Sequence, residues 1–348
     1  MLRFFVGFVV GALCLTAGFF AKSYLSSPPQ SAYVSGEAVT AAASIRENLA
    51  PHMLDLMTGD ITQRRAILDQ YFFAPKIALA RKLYPVTETV LEIDGVYTEI
   101  FEPADGVEEH KQDRILINLH GGGFSMGART EGRLESIPVA HLSGIKVISV
   151  DYRQGPEHRF PAASEDVVTV YRHLLKTYQP QKIAIFGCSA GGLLTAQALA
   201  WMQAENLPMP GAAGIFCAGA GNFGQGDSVA IADLFNSSLS TGEIAYFEGA
   251  DWASELVAPL GHDTVMKNFP PTLLISSTRD FSMSSTLVTH QRLVELGVET
   301  DLHVYEGLNH YFFADTELTE SRHAFEVMAR FFNQHLTESK PSAPNPLP

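Results

Sequence analysis

Lys182-Ile183-Ala184-Ile185-Phe186-Gly187-Cys188-Ser189-Ala190-Gly191-Gly192 is the stretch on which the reading of this chain turns. Lys182 to Phe186 is a short apolar run that predicts a buried strand, and Ala190 to Ala204 is a run of small and apolar residues that predicts a helix. Between them lies Gly187-Cys188-Ser189-Ala190-Gly191, the pattern G-x-S-x-G in a strand, sharp turn and helix context. Such a turn strains the serine backbone and crowds both sides of it, so Gly187 and Gly191 are the residues it needs. The helix that opens after Ser189 would aim its first N–H groups at the serine, where negative charge develops during acyl transfer. By chance the pattern occurs roughly 0.1–0.2 times per chain of this composition. Its surroundings must therefore carry the reading.

Upstream, Arg114 to Leu119 (RILINL) reads as another buried strand and runs directly into His120-Gly121-Gly122-Gly123-Phe124. Consecutive glycines leave backbone N–H groups unshielded, which an oxyanion hole requires. The donors are assigned to Gly121 and Gly122, joined by the N–H of Ala190 just after the serine. His120 and Gly123 support the loop, as Gly187 and Gly191 support the turn; His120 at the loop entrance reads as a structural histidine bonded to backbone. A phosphate-binding loop would need a G-x-G-x-x-G or GK[ST] form, which is absent here.

A serine hydroxyl needs a base, and the base an orienting acid. After Ser189 the histidines are 262, 290, 303, 310, 323 and 335. His310 follows the strand-like LHVY within the glycine-bearing Glu306-Gly307-Leu308-Asn309, whereas His303 alternates inside that strand and His290, His323 and His335 fall in helical patterns. For the acid, Asp280 follows the predicted strand Thr272 to Ser277; Asp263 and Asp301 do not follow the carboxyl end of a core strand. The order serine, acid, histidine with both later members on loops after strands points to Ser189, Asp280 and His310.

The rest of the chain supplies the frame. Helical patterns cover Val39 to Met57, interrupted by Pro51, and Ile61 to Leu83; strand-like alternation surrounds Asp94-Gly95. Further strands are predicted at Ile145 to Val150, Ala212 to Cys217 and Leu302 to Tyr305, and helices at Ala162 to Tyr178, Thr286 to Leu296 and Phe325 to His335. Strands apolar on both faces and separated by helices imply an α/β fold with a mostly parallel central sheet covered on both sides. Gly221 to Asn268 breaks that rhythm and is too long for a plain connection, so it reads as an insertion forming part of a lid. Its aromatics, Phe235, Phe247 and Trp252 with Phe223, fit either an apolar acyl pocket or ordinary packing.

These segments together resemble the hormone-sensitive-lipase-like family of α/β-hydrolases over roughly residues 115–332. The matching stretches are His120 to Phe124, Asp151-Tyr152-Arg153 with Pro156-Glu157, Gly187 to Gly192, Pro270-Pro271 leading to Asp280, and His310-Tyr311-Phe312. The resemblance implies an α/β-hydrolase fold with a helical cap, and a serine esterase or lipase acting through an acyl-enzyme on short- to medium-chain apolar esters. It implies Ser189 as nucleophile, Asp280 as acid, His310 as base, and Gly121, Gly122 and Ala190 as oxyanion donors, with no metal or organic cofactor. A lactonase or amidase using the same three residues is the alternative, and a non-catalytic ligand-binding relative a more distant one. Two positions depart from the family. Cys188 stands where an aspartate is usual, and Ser282-Met283-Ser284-Ser285 replace acidic residues common after the catalytic aspartate, which lowers the support expected behind the site. Arg153, Glu157 and Asp166 are expected to form a structural network.

The expected organisation is an export signal or single membrane anchor at 1–23, a linker at 24–37, cap helices at 38–85, a catalytic domain at 86–338 carrying the 222–268 insertion, and a disordered tail at 339–348. Arg3 precedes an apolar run from Phe4 to Ala21, long for a signal peptide and just enough to span a bilayer, with a small-x-small site at Ala21-Lys22-Ser23. Either reading places the body of the protein outside the cytoplasm. Twenty-four basic against 38 acidic residues give a formal charge of -14, which argues against nucleic acid as a partner and leaves a small-molecule ester as the expected one. Three cysteines without a CxxC pair or a Cys/His cluster argue against a structural zinc site or a disulfide framework; the count allows a Cys188–Cys217 bridge, but buried thiols are the simpler reading. Oligomeric state has no signature in the sequence.

Overall fold

The computed structural model describes residues 31–222, 224–234 and 244–337. The expected signal or anchor, Phe223 and Phe235 of the insertion, and the 339–348 tail lie outside the described residues. No helix among the described residues is long and apolar enough to cross a membrane.

Among these residues one eight-stranded sheet forms the centre of the fold. Val86–Ile93 (β1) and Val96–Pro103 (β2) make an antiparallel hairpin. Its turn at Asp94-Gly95 has both residues at positive φ, 49° and 87°, as a tight two-residue hairpin requires. Ile115–Leu119 (β3), Lys146–Val150 (β4), Ile183–Cys188 (β5), Ala212–Phe216 (β6), Thr272–Arg279 (β7) and Thr300–Asn309 (β8) run parallel to one another, and the order across the sheet is β1-β2-β4-β3-β5-β6-β7-β8. β5, which ends at the serine turn, is central. Ligand sites of such sheets gather where the carboxyl ends of the central strands open.

Side chains alternate along each strand, so each face of the sheet acquires its own core. Ile115, Ile117, Ile183 and Ile185 pack with Val167 and Val170 of Ala162–Leu174, with Leu193 and Leu199 of Ala190–Ala204, and with Leu293 of Met283–Glu295. Leu116, Ala184, Phe186 and Cys188 point the other way. They pack with Ile77 and Ala80 of Ala74–Leu83, with Leu134 and Ile137 of Glu131–Ser143, and with Phe325 and Met328 of Thr319–His335. The sheet is covered on both sides, as its apolar strands demand.

Helices are numbered in chain order: α1 Gly36–Leu49, α2 Met53–Thr58, α3 Ile61–Leu68, α4 Ala74–Leu83, α5 Glu131–Ser143, α6 Ala162–Leu174, α7 Ala190–Ala204, α8 Asp227–Leu234, α9 Asp263–Met266, α10 Met283–Glu295 and α11 Thr319–His335. α3 starts where Asp60 Oδ1 accepts the N–H of Gln63 at 2.8 Å, and a π-helical turn at Asp69–Phe73 joins it to α4. Helix α5 has no counterpart in the sequence expectation. It opens Glu-Gly-Arg, carries Pro138 inside, and buries Glu131, Gly132, Glu135 and Ser136 among Leu134, Ile137, Val139 and Ala140, so polar residues interrupt its apolar pattern. In the insertion, Phe247 is buried in an aromatic cluster with Phe124, Phe160 and Tyr246, and it touches the more exposed Trp252.

Candidate active site

Ser189 sits between β5 and α7 at φ 57°, ψ -121°, a backbone conformation that costs a non-glycine residue of order 1–3 kcal/mol. The turn holds it there through its own N–H, which donates to Phe216 O on β6 at 2.8 Å, and its carbonyl, which accepts Leu193 N–H at 3.1 Å. Gly187 and Gly191 are required by contact rather than by φ. A Cβ on either would collide with the Leu119 carbonyl oxygen at the end of β3. The strand that ends in the glycine loop and the turn that carries the serine therefore touch through backbone alone.

His310 follows β8, and its Nε2 lies 2.9 Å from Ser189 Oγ while its Nδ1 lies 2.7 Å from Asp280 Oδ1. The Asn309 carbonyl accepts Ser277 Oγ–H at 3.0 Å, and Gly307 N–H donates to Thr278 Oγ1 at 2.7 Å, so β7 pins the histidine loop. The Phe281 ring lies 4.3 Å from the imidazole, centroid to centroid.

Asp280 is fully buried at the end of β7. Ser276 Oγ–H donates to its Oδ2 at 2.8 Å; Ser282 donates to Oδ1 through both its N–H, at 2.8 Å, and its hydroxyl, at 2.7 Å. Burial acts to raise the Asp280 pKa, but the His310 ring beside it and the Ser282 donors more than offset that, and the carboxyl lies below its usual value. The serines at 282 and beyond were expected to weaken the support behind the acid. Ser282 instead supplies two of its hydrogen bonds, because an acid buried this deeply needs donors rather than further negative charge. Sequence reasoning also passed over Ser276. The signal for Ser282 was present in Asp-x-Ser, where the aspartate caps an N–H two residues on.

In the glycine loop Gly122 and Gly123 both have positive φ, 87° and 62°, and Gly122 O accepts the N–H of Met126 at 2.9 Å and of Ser125 at 3.1 Å. A Cβ on Gly122 would collide with the Met126 carbonyl, so the close return of the loop also depends on glycine. Gly121 packs against Glu131 of α5. Ala190 is the first residue of α7, where N–H groups have no intrahelical acceptor. His120 is buried with its ring stacked on Tyr152, centroids 4.1 Å apart. Its Nδ1–H donates to Gly121 O at 2.9 Å, and burial lowers its pKa. A neutral imidazole bonded to backbone braces the loop.

The network read from the sequence divides in two. Arg153 pairs with Asp166, its Nε 2.9 Å from Oδ1, but Glu157 pairs with Arg65 of α3. Arg65 also donates to Ser125 O at 2.8 Å and Gly155 O at 2.9 Å. Arg65 therefore fastens an N-terminal helix to the end of the glycine loop, and Glu157 pairs with its guanidinium. Cys188 and Cys217 are buried free thiols.

Among the described residues one group of side chains is close enough to share an ion: Cys217, Asp280 and His310. Asp280 is already filled with donors, and burial pushes the Cys217 thiol up, away from the thiolate that metals bind. The donor set does not suit a metal.

The same segments place the chain among known proteins. Residues 116–314 match the family described as alpha/beta hydrolase fold. The chain is 28% identical over 236 residues to an acetyl-hydrolase of Streptomyces hygroscopicus, covering 66% of this chain and 78% of that one. It is 27% identical over 293 residues to an acetyl esterase of Salmonella paratyphi B, covering 79% and 87%. The crystal structure of an esterase, E25, superposes with a TM-score of 0.76 at 33% identity, over 90% of this chain and 98% of that one. The chain belongs to the α/β-hydrolase fold family, in its hormone-sensitive-lipase-like branch.

Proposed function

We propose that the protein is a serine carboxylic-ester hydrolase that works through an acyl-enzyme on short-chain esters, acetyl esters foremost. The observation that carries this reading is the unbroken chain from Asp280 Oδ1 through His310 to Ser189 Oγ, with hydrogen bonds of 2.7 and 2.9 Å. His310 Nε2 takes the Ser189 proton as Oγ bonds to the ester carbonyl carbon. The oxyanion is received by the N–H groups of Gly121, Gly122 and Ala190. As the tetrahedral intermediate collapses, the C–O bond to the alcohol breaks and the alcohol leaves with the proton from His310. Water then gives its proton to His310 and attacks the acyl carbon; the acid leaves and Ser189 Oγ recovers its proton. Asp280 holds the imidazole with Nδ1 protonated and stabilises the imidazolium. No step calls on a metal or organic cofactor.

The acetyl preference is supported by the similarity of the chain to the acetyl-hydrolase of Streptomyces and the acetyl esterase of Salmonella. The apolar run at 4–21 supports export or anchoring, with the catalytic body outside the cytoplasm.

Hydrolysis of p-nitrophenyl esters by acyl length tests the reading. Acetate should be turned over fastest, and Ser189→Ala should lose about 10⁴-fold or more in kcat. A fully active Ser189→Ala would overturn the mechanism, and a preference for long acyl chains the substrate class. Fractionating cells that express the full chain, beside a form lacking residues 1–30, tests the location.

A further inference from the structure

Two carboxyl groups on the first turns of α5, Glu131 and Glu135, are buried directly behind the glycine loop and the serine turn, and the reaction described above uses neither. Glu131 touches the loop at both ends. A Cβ on Gly121 would collide with its Oε1, and a Cβ on Gly127 would lie 2.9 Å from its Oε2. Its backbone closes the same loop, with its N–H donating to Gly127 O at 2.9 Å. Its carbonyl accepts Tyr311 O–H at 3.4 Å, from the residue that follows His310.

We propose that Glu131 is a positioning residue of the oxyanion hole, its side chain wedged between Gly121 and Gly127 so that the Gly121 and Gly122 N–H groups are held toward Ser189. This rests on the ester-hydrolase reading of the site. A wedge beneath an oxyanion hole must be uncharged, because a fixed negative charge there would oppose the developing oxyanion. The surroundings meet that condition. Glu135 faces Glu131 from the next turn of α5, Tyr152 follows β4, Cys188 ends β5 and Tyr311 follows β8, and none is a cation. The nearby guanidinium groups are engaged elsewhere, Arg133 with Glu99 and Arg129 with Asp151. With no cation to hold its charge, burial pushes the Glu131 carboxyl up to about 8. Glu135, buried beside it with a hydrogen bond from Asn118 at 2.8 Å, is raised as well, because burial outweighs its donors. At neutral pH Glu131 is mostly the neutral acid. Above about pH 8 it ionises beneath the hole, and kcat should fall.

The test compares wild type, Glu131→Ala and Glu131→Gln from about pH 6 to about pH 10. Three quantities are read: kcat and KM for p-nitrophenyl acetate, the rate at which a fluorophosphonate labels Ser189, and the thermal midpoint. Glu131→Ala should lose about 10–100-fold in kcat at neutral pH with KM changed less than about threefold, and labelling should slow in parallel. Glu131→Gln, which keeps the shape and cannot ionise, should restore most of that loss and abolish the alkaline decline. A Glu131→Ala enzyme with wild-type kcat and labelling would overturn the proposal, and so would a Glu131→Gln enzyme that keeps the wild-type alkaline limb. If Glu131→Ala does not fold, the pH profile of Glu131→Gln decides alone. A wild type without esterase turnover would overturn the ester reading separately, and labelling rates across pH would still decide the role of Glu131.

Discussion

Asp280 has no exposed surface, and an ionised carboxylate so placed costs several kcal/mol unless donors fill its lone pairs. Ser276, Ser282 and His310 supply those donors, and each bond also fixes the angle at which the carboxylate meets the imidazole. Replacing Asp280 by Asn removes the charge and presents a donor where the imidazole also donates. We expect kcat for p-nitrophenyl acetate to fall about 10³–10⁴-fold with little change in fold. Ser282→Ala keeps the backbone N–H but loses the hydroxyl bond, so kcat should fall only about 3–10-fold, with stability lower by about 1 kcal/mol. Equal losses in the two variants, read by kcat and thermal melting, would mean that Ser282 does more than orient the acid.

At the scale of elements, the site is a meeting of strand ends held by backbone. β3, β5, β7 and β8 each end in a loop that supplies one part of it, and the contact of Gly187 and Gly191 with Leu119 O locks the first two together. Gly191→Ala forces a methyl group into a carbonyl that cannot move without tearing β3 from β5. It should cost about 3 kcal/mol or more, seen as insoluble protein or a thermal midpoint lowered by about 10 °C. Arg65 makes a different sort of junction, from α3 to the carbonyls of Ser125 and Gly155. Arg65→Ala leaves both without this donor and should cost about 1–3 kcal/mol in urea unfolding. Glu157→Ala should cost less than about 1 kcal/mol, because the Glu157 side chain is half exposed and the ion pair is screened by water. If the two losses are equal, the ion pair and not the backbone bonds fastens α3.

For the molecule as a whole, the buried carboxyls set how stability follows pH. Glu131 has an ordinary value of 4.5 and a folded value of about 8. Between these the unfolded chain has released a proton that the folded chain keeps, so stability falls as pH rises through that window and levels off above it. Glu135 acts in the same sense. Asp280 works oppositely: its folded value lies below 3.8, so its contribution is present above that and is lost as pH falls through the folded value. Stability should therefore be greatest near about pH 5 and weaker at about pH 8.5, by on the order of a few kcal/mol. Urea unfolding at both pH values checks this, and Glu131→Gln should remove a large share of the difference. An unchanged difference in Glu131→Gln would place the slope on other groups.

The sequence by itself determined the sheet and the three side chains that meet at its edge. Apolar runs of strand length ending in Gly-Cys-Ser-Ala-Gly, His-Gly-Gly-Gly, Asp280 and His310 are local features. A parallel sheet brings the carboxyl ends of its strands to one edge wherever the intervening helices lie. What the sequence left illegible are residues whose role depends on what they are packed against. Helix α5 has an interrupted apolar period because the surface it covers includes Asn118, whose amide bonds Glu135, and the glycine loop, against which Glu131 lies. Glu157 reads from the sequence as part of one network with Arg153 and Asp166, yet its guanidinium comes from Arg65, 92 residues away. Ser276 alternates as an ordinary strand residue until the turn after β7 brings Asp280 back over it. Periodicity and turn chemistry act over a few residues and can be read from the chain. Burial of a carboxyl group, and the choice of its hydrogen-bond donors, are properties of the space that distant segments enclose, and only the tertiary structure decided them.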